Sequence, residues 1–212
     1  MTRLKAQDQP HLASSCFVRS QEGCTVLELR SDDQTNRLTL SCVLSLIEVV
    51  ESLAVSHSST LILTGNQYFF CVGADLNEIL RLAGAEALNF ARLGQRLTSA
   101  LETFPAPTVA VIRGYCIGGG LDLALACRLR FAAPNAVFGY PGAALGLITG
   151  WGGTQRLTRL VGRAQALQMF TTTAKLNAAD ALRIGLVTKV HEDPLMAAIQ
   201  TAHDLWKMQV LS

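Results

Sequence analysis

The chain has 212 residues, of which half are hydrophobic and 16% are charged, and its formal net charge is +2. This length and composition predict one globular domain with a full-sized hydrophobic core. The lysines and arginines are scattered, which argues against a nucleic-acid-binding groove and against a polybasic membrane anchor. No apolar run reaches the length of a membrane span and no signal peptide is recognised, so we expect a cytoplasmic protein.

The cysteines and histidines do not form a pattern that indicates a metal site or a disulfide framework. The six cysteines occur singly in apolar surroundings, without a CxxC pair. We therefore expect buried free thiols in a reducing compartment. The four histidines are far apart and share no ligand spacing, so we expect no bound metal. The P-loop, the GxSxG elbow and the HExxH motif are absent.

Strand-type and helix-type patterns alternate along the chain, which predicts an α/β fold. Residues 1–20 are polar and aperiodic, and we interpret them as a loose lead-in to a single domain at residues 21–212. The predicted strands are residues 24–29, 60–64, 108–112, 128–132, 137–139 and 186–190. The predicted helices are residues 38–54, 77–104 with a break at Gly84, 121–127, 153–160, 163–172 and 178–184, and a terminal helix after Asp193.

Three successive glycines, 118–120, lie between a predicted strand and a predicted helix. Glycines in this number are costly for folding unless the backbone itself is needed there. The first free amides of the following helix point into this turn, at the positive end of the helix dipole. The turn therefore predicts a site that binds an oxyanion, and Asp122 comes two residues beyond the last glycine.

Four segments, taken together, resemble the enoyl-CoA hydratase/isomerase family, also called the crotonase superfamily. They are residues 69–76 (FFCVGADL), 114–124, 138–141 (FGYP) and 145–157. Their order and spacing match that family from about residue 24 to residue 190. The resemblance implies a crotonase-like spiral of ββα units that binds a CoA thioester. Because the chain ends a few turns after the last predicted strand, we expect it to lack most of the usual C-terminal helical lid.

The resemblance assigns roles to backbone groups and to cavity walls. In that family the thioester oxygen binds between two backbone amides, which match Ala74 and Gly119 here. Two N–H groups aimed at a developing enolate oxygen stabilise it more than the neutral carbonyl, so these amides are expected to act in catalysis. The expected substrate-binding residues are Val72, Gly73, Gly118, Tyr140, Pro141 and Trp151.

The positions that carry acid–base chemistry depart from the family's pattern. Family hydratases use two glutamates, and the matching positions here are Asp122 and Gly142. Hydration in the usual two-glutamate manner is therefore not expected. The monoenoyl isomerases of the family carry their proton-transferring carboxylate at the second position, where Gly142 has no side chain. An aspartate at the first position resembles the dienoyl-CoA isomerases, and a small residue at the second resembles the naphthoate-synthase branch. Asp122 is either the acid/base or a helix-N-terminal carboxylate favoured by the dipole.

Supporting roles are expected for residues near the GAD motif, residues 73–75. Asp75 and Glu78 are expected to cap and support the helix after the GAD motif. Where relatives often place a basic residue near the CoA phosphates, this chain has Asp33 and Asn77. Arg37 and Arg81 are the candidates to compensate for the missing positive charge.

Two hypotheses follow from these residues. The first is an enzyme that acts on an acyl-CoA through an enolate held by Ala74 and Gly119, with Asp122 as the sole acid/base. It would need no metal or redox cofactor, since coenzyme A is part of the substrate. The second is a catalytically impaired acyl-CoA-binding protein or partner subunit. Under either hypothesis the resemblance implies a homo-oligomer, a trimer or a hexamer, and the acyl chain length is left open.

Overall fold

The computed structural model of the protein describes residues 12–13, 15–56 and 59–210. The strands are β1 (Leu12–Ala13), β2 (Cys16–Gln21), β3 (Cys24–Leu29), β4 (Leu61–Thr64), β5 (Phe69–Cys71), β6 (Thr108–Ile112), β7 (Tyr115–Ile117), β8 (Leu129–Ala132), β9 (Val137–Gly139), β10 (Leu176–Asn177) and β11 (Lys189–Val190). The helices are α1 (Leu40–Ser56), α2 (Leu76–Ile79), α3 (Ala85–Glu102), α4 (Gly119–Ala126), α5 (Gly153–Val161), α6 (Arg163–Thr171), α7 (Ala178–Arg183) and α8 (Pro194–Val210), with a 3₁₀-helix at Pro141–Leu145.

The strands form two sheets that the chain visits in turn. The larger sheet has the order β1-β2-β3-β4-β6-β8-β11, and the smaller has the order β10-β9-β7-β5. Pairing is parallel from β3 to β11 in the large sheet and from β5 to β9 in the small one. Each circuit therefore adds one strand to each sheet and then proceeds to the next circuit, usually through a helix. This winding confirms the predicted α/β spiral of ββα units.

The central strands of the large sheet are buried on both faces. Strand β6 is entirely apolar apart from Thr108, and all five of its residues are buried. Because side chains alternate along a strand, Val109 and Val111 pack with residues of α8, while Ala110 and Ile112 pack in the main core. Such a strand reads as a continuous apolar run, which is typical of parallel sheets covered on both sides.

All six cysteines are buried and free, as the sequence predicts. Burial raises the pKa of Cys16 to about 11 and the pKa of Cys127 to about 12. At neutral pH these cysteines are therefore thiols and not thiolates, and a thiol is a poor nucleophile.

The predicted lead-in is wrong for residues 16–20. These residues belong to β2, which pairs antiparallel with β3 from Cys16↔Leu29 to Gln21↔Cys24. Glu22 and Gly23 join the two strands, and both have positive φ, as a tight hairpin turn requires. The part of the lead-in at residues 1–11 and 14 lies outside the described residues.

The other differences are confined to element ends and short strands. The last predicted strand, 186–190, is reduced to β11, because Leu186 and Val187 both donate their N–H groups to the carbonyl of Ala181 in a turn. The predicted break at Gly84 is confirmed, since Gly84 has φ 50° and precedes α3. Within the described ranges, no helix is both long and apolar enough to cross a membrane.

Candidate active site

A cavity of about 720 Å³ lies beside the glycine-rich turn that precedes α4. Most of its remaining wall is apolar and comes from α2, α3 and the loop that follows the 3₁₀-helix. All ten residues predicted to form the site line this one cavity: Val72, Gly73, Ala74, Gly118, Gly119, Asp122, Tyr140, Pro141, Gly142 and Trp151. The structure therefore brings together residues from four separate segments of the chain.

The backbone around Ala74 is fixed by Leu38. The N–H of Leu38 donates to the carbonyl of Gly73 over 2.9 Å, and the N–H of Asp75 donates to the carbonyl of Leu38 over 3.2 Å. In this parallel bridge the polar groups of Ala74 itself point away from Leu38. The N–H of Ala74 has no acceptor among the described residues, so it is available to a molecule in the cavity.

The N–H of Gly119 is available for a different reason. Gly119 is the first residue of α4, whose opening amides have no partner within the helix. The neighbouring N–H of Gly118 is already used, since it donates to the carbonyl of Gly139 over 3.0 Å. The positive end of the helix dipole adds to the attraction of Gly119 for a negatively charged oxygen.

The two loops that carry these amides approach each other closely because they lack side chains. A Cβ atom on Gly73 would lie 2.9 Å from the nitrogen of Gly119, and the backbone at Gly73 has φ 85°. On the other side, a Cβ atom on Gly120 would lie 2.7 Å from Cβ of Cys71. Contacts this short are not seen for real Cβ atoms, so the spacing of the two amides depends on these glycines.

The Asp122 side chain is the buried carboxylate of the cavity. It lies on the first turn of α4, and the residue is only 1% exposed. Its Oδ1 accepts a hydrogen bond of 2.7 Å from the Tyr140 hydroxyl, and its Oδ2 accepts one from the Thr149 hydroxyl. Burial raises the pKa of Asp122 to about 6, against the opposing effects of these two hydrogen bonds and of the Arg156 charge. A carboxyl group with this pKa can both accept and return a proton near neutral pH.

Tyr140 acts as a hydrogen-bond donor to this carboxylate. Burial and the neighbouring Asp122 charge raise the pKa of Tyr140 well above its usual value, so the phenol keeps its proton. Its ring packs on Phe170 with the ring centres 4.8 Å apart. The phenol is therefore held in place, and its proton is committed to Asp122.

Two residues that the sequence did not single out complete the surroundings of Asp122. Thr149 was not predicted, and no motif marks it, because its partner is 27 positions away in the chain. Gly153 begins α5, and a Cβ atom there would overlap Oδ1 of Asp122 and lie 2.5 Å from the Tyr140 hydroxyl oxygen. In the sequence, Gly153 falls within the segment 145–157 that resembles the family.

Position 142 leaves space in the cavity wall. Gly142 lies in the 3₁₀-helix, and a Cβ atom there would meet only Leu147, at 3.4 Å from its Cβ and 3.6 Å from its carbonyl oxygen. The glycine is therefore not required by the backbone. What it removes is a side chain that could reach toward Asp122.

Trp151 forms a wall beside the oxyanion turn, as expected. A Cβ atom on Gly119 would lie 3.1 Å from the indole ring, which also packs on Phe90. The carbonyl of Trp151 accepts hydrogen bonds from Thr98 and from Arg156. The ring is therefore fixed between α3 and the start of α4.

The loop at residues 33–37 is organised by its own charges. Asp33 accepts hydrogen bonds from Ser31 and Thr35 and forms an ion pair with Arg37. The hydrogen bond from Ser31 contributes most to holding the pKa of Asp33 well below its usual range. Arg37 also pairs with Asp75 over 3.3 Å, so its charge is compensated twice.

The capping roles predicted for two acidic residues are confirmed for one of them. Asp75 caps α2, because its Oδ1 accepts from the amides of Asn77 and Glu78. Glu78 lies in the first turn of α2 as expected, but it does not cap that helix, since its Oε2 accepts from the amide of Leu40 at the start of α1. Glu78 thus ties α1 to α2.

The spiral of ββα units, with two unpaired amides and a buried carboxylate along one cavity, defines a fold and site suited to a thioester oxygen. Comparison with known proteins identifies the family. A sequence profile of the enoyl-CoA hydratase/isomerase family matches residues 19–209. The chain therefore belongs to this family, whose enzymes act on acyl-CoA thioesters.

The similarity extends to individual relatives and to solved structures. The crotonyl-CoA hydratase of Syntrophomonas wolfei is 38% identical over 176 residues, which cover 82% of this chain and 68% of that protein. The 2,3-dehydroadipyl-CoA hydratase of Escherichia coli is 37% identical over 183 residues, covering 86% of this chain and 71% of that protein. The structure of Pseudomonas aeruginosa DspI is 32% identical and superposes with a TM-score of 0.87 over 96% of this chain and 84% of that one.

Proposed function

We propose that the protein adds water to a 2-enoyl-CoA thioester and that Asp122 is the only carboxylate that exchanges protons in the reaction. The observation that carries this proposal is the position of Asp122 three residues after Gly119, on the first turn of α4. The proton-transfer group and one of the two amides therefore share a rigid helix start. Several relatives carry hydratase names, among them the crotonyl-CoA hydratase of Syntrophomonas wolfei.

The proposed steps use the residues as the structure positions them. The thioester oxygen accepts hydrogen bonds from the N–H groups of Ala74 and Gly119. Water attacks C3 of the substrate, its proton passes to ionised Asp122, and the electrons of the double bond move onto the thioester oxygen as an enolate. The two amides stabilise this charge more than the neutral carbonyl, which lowers the barrier. Protonated Asp122 then returns the proton to C2.

This sequence of steps balances without a redox change. One water is added, one proton moves to Asp122 and back, and no electron leaves the substrate. The proposal therefore needs no redox cofactor, and coenzyme A enters only as part of the substrate.

A second candidate function is supported by Gly142. Without a side chain at this position, the protein would be an acyl-CoA-binding protein or a partner subunit that has lost catalysis. Both candidates use the cavity and the two amides, and they differ only in whether Asp122 transfers protons.

Two assays separate the candidates. The first follows the loss of the conjugated thioester absorbance when the protein is mixed with crotonyl-CoA. The second follows deuterium entry at the α-carbon of butyryl-CoA in D₂O by mass spectrometry, which requires only the base and the two amides. We expect both reactions in the wild type and neither in Asp122→Asn. Measurable binding of butyryl-CoA with no turnover in either assay would reject the hydratase and support the binding protein.

We also propose that the protein self-associates. Several large apolar side chains outside the cavity are exposed, including Leu44 (42%), Leu167 (57%) and Leu182 (44%), and burying such surface is favourable. Light scattering coupled to gel filtration would test the trimer or hexamer that the resemblance implies. A monomer at micromolar concentration would reject it.

A further inference from the structure

The two hydroxyl groups that hold Asp122 have different surroundings. The hydrogen bond from Tyr140 to Oδ1 is fully buried. The hydrogen bond from Thr149 to Oδ2 is only partly buried, and Thr149 lines the cavity. Both Tyr140 and Thr149 line the cavity, and the hydrogen bond of Thr149 to Asp122 is the less buried of the two.

The Thr149 hydroxyl has capacity for one more hydrogen bond. A hydroxyl has one O–H donor and two acceptor lone pairs. The O–H goes to Asp122, and one lone pair accepts from the N–H of Trp151 over 3.4 Å. Among the described residues no donor occupies the second lone pair. Thr149 can therefore accept a hydrogen bond from a molecule in the cavity without releasing Asp122.

Thr149 also belongs to the loop that follows the 3₁₀-helix, and this helix contains Gly142. The N–H of Leu147 donates to the carbonyl of Gly142 over 2.9 Å, which ties the start of the loop after the 3₁₀-helix back to position 142. Gly142 offers no polar side chain there, and the proton of Tyr140 is committed to Oδ1. Of the two described hydroxyl groups that bond to Asp122, that of Thr149 is thus the one that can still accept a hydrogen bond from a ligand in the cavity.

We infer that Thr149 and Asp122 together hold the water that is added to the substrate, with Thr149 in the role that a carboxylate at position 142 would otherwise have. This inference rests on the proposed hydratase function. The water donates one O–H to Asp122 and the other to the free lone pair of Thr149. Its remaining lone pair is then directed at C3 of the enoyl group.

The proton balance is unchanged by this role. As the O–C3 bond forms, the proton that water shares with Asp122 passes to the carboxylate, and the electrons of the double bond move to the enolate. Asp122 later gives that proton to C2. Thr149 neither gains nor loses a proton, and its contribution is the position of the attacking oxygen, which strongly affects the rate.

The test compares Thr149→Val, which keeps the shape and removes the hydroxyl, with Thr149→Ser, which keeps the hydroxyl. Thr171→Val is the matched control, since Thr171 is exposed and its hydroxyl donates to the carbonyl of Leu167 in its own helix. Each variant is assayed for hydration of crotonyl-CoA and for deuterium exchange at the α-carbon of butyryl-CoA, on the high-pH plateau of its own pH profile, because losing the Thr149 hydrogen bond also raises the pKa of Asp122. Exchange needs no attacking water, so it separates water placement from the function of Asp122. Thr149→Ala replaces the valine variant if the latter does not fold.

We expect Thr149→Val to lower the hydration rate about 100-fold while exchange changes by less than about 3-fold. The serine variant and Thr171→Val should keep both reactions near the wild-type rates. Unchanged hydration in Thr149→Val, or an equal loss of both reactions, would overturn the role of Thr149 and leave the proposed function in place. A wild type that catalyses neither reaction would instead reject the proposed function, and this role with it.

Discussion

Gly153 lies directly against the carboxylate of Asp122, although the two residues are 31 positions apart. A Cβ atom at Gly153 would overlap Oδ1 and would lie 2.5 Å from the hydroxyl oxygen of Tyr140. The start of α5 is thus shaped to admit the carboxylate. The positive end of this helix also faces the negative charge.

We therefore expect Gly153→Ala to displace Asp122 and to lower activity. Overpacking of a buried site costs about 1–3 kcal/mol, and a base moved by about 1 Å can lose about 100-fold in rate. Urea unfolding and crotonyl-CoA hydration measure the two effects. Gly150→Ala is the stability control, because its added Cβ would meet only Ala91, at 3.6 Å. Equal stability of the two variants would contradict the predicted overlap.

The activity should depend on the ionisation of Asp122. Because burial raises the pKa of Asp122 to about 6, the base is protonated and inactive at lower pH. We expect kcat/KM for crotonyl-CoA to rise with pH through about 6 and then to level off. Tyr140→Phe removes a hydrogen bond that favours the charged form, so its midpoint should move to higher pH. Tyr68→Phe, at an exposed tyrosine, should leave the midpoint in place, and a common midpoint for all three proteins would refute the assignment.

The same pKa predicts a pH-dependent stability. The pKa of Asp122 is raised on folding from 3.8 to about 6, so between these values the native state binds more protons than the unfolded state. Stability from this group is therefore present below about pH 4 and is lost as pH rises to about 6. The loss is about 3 kcal/mol, from a shift of about two pKa units. The free energy of unfolding of Asp122→Asn, minus that of the wild type, should increase by about this amount between pH 4 and pH 7. A constant difference would show that Asp122 is not held in a desolvated site.

A carboxylate at position 142 should increase hydration. The backbone at Gly142 has room for a Cβ atom, and a glutamate there would line the cavity near Asp122. A second group that holds the attacking water should raise the hydration rate about 10-fold or more in Gly142→Glu. Adding Gly142→Glu to the Thr149→Val variant should also restore hydration. The neutral Gly142→Gln is the matched control, and equal rates for the glutamate and glutamine variants would count against a second acid–base position here.

Gly94 should be an exception to the usual effect of helix-interior glycines. Replacing such a glycine with alanine generally stabilises a helix by about 1 kcal/mol. In α3, however, a Cβ atom on Gly94 would overlap the indole ring of Trp151. We expect Gly94→Ala to destabilise the protein by about 1–3 kcal/mol in urea unfolding. Trp151→Phe in the same chain should recover much of the loss, whereas a more stable Gly94→Ala would mean that the ring has space to move.

The sequence predicts the parts of the site that depend on contiguous backbone. The glycines at 118–120 and the loop that contains Ala74 are recognisable because each is a contiguous run whose residue types are themselves distinctive. The large sheet is likewise predictable, since β4 and β6 are apolar runs with clear ends. The missed strand β2 also left a signal, the Glu22-Gly23 pair, which is a two-residue turn between two strand-like runs.

The hydrogen bonds of Thr149 and Glu78 join segments that are distant in the chain, so no local sequence pattern predicts them. Thr149 resembles any loop threonine until α5 brings it to Asp122. Glu78 has the sequence position of a cap for α2, yet its carboxylate accepts from the amide of Leu40 at the start of α1. Such pairings depend on how the helices are packed, and one sequence does not reveal them.

The hydrogen bonds of Leu38 on both sides of Ala74 make the first strands and the oxyanion site one cooperative unit. Leu38 stands between β3 and α1, so we expect the orientation of the Ala74 amide to depend on the folding of the N-terminal edge of the large sheet. A transient opening of that edge would release the amide while the carboxylate on α4 stayed in place. Catalytic competence would then be lost before the protein unfolds, and the local stability of residues 31–38 would set the temperature at which the enzyme stops working.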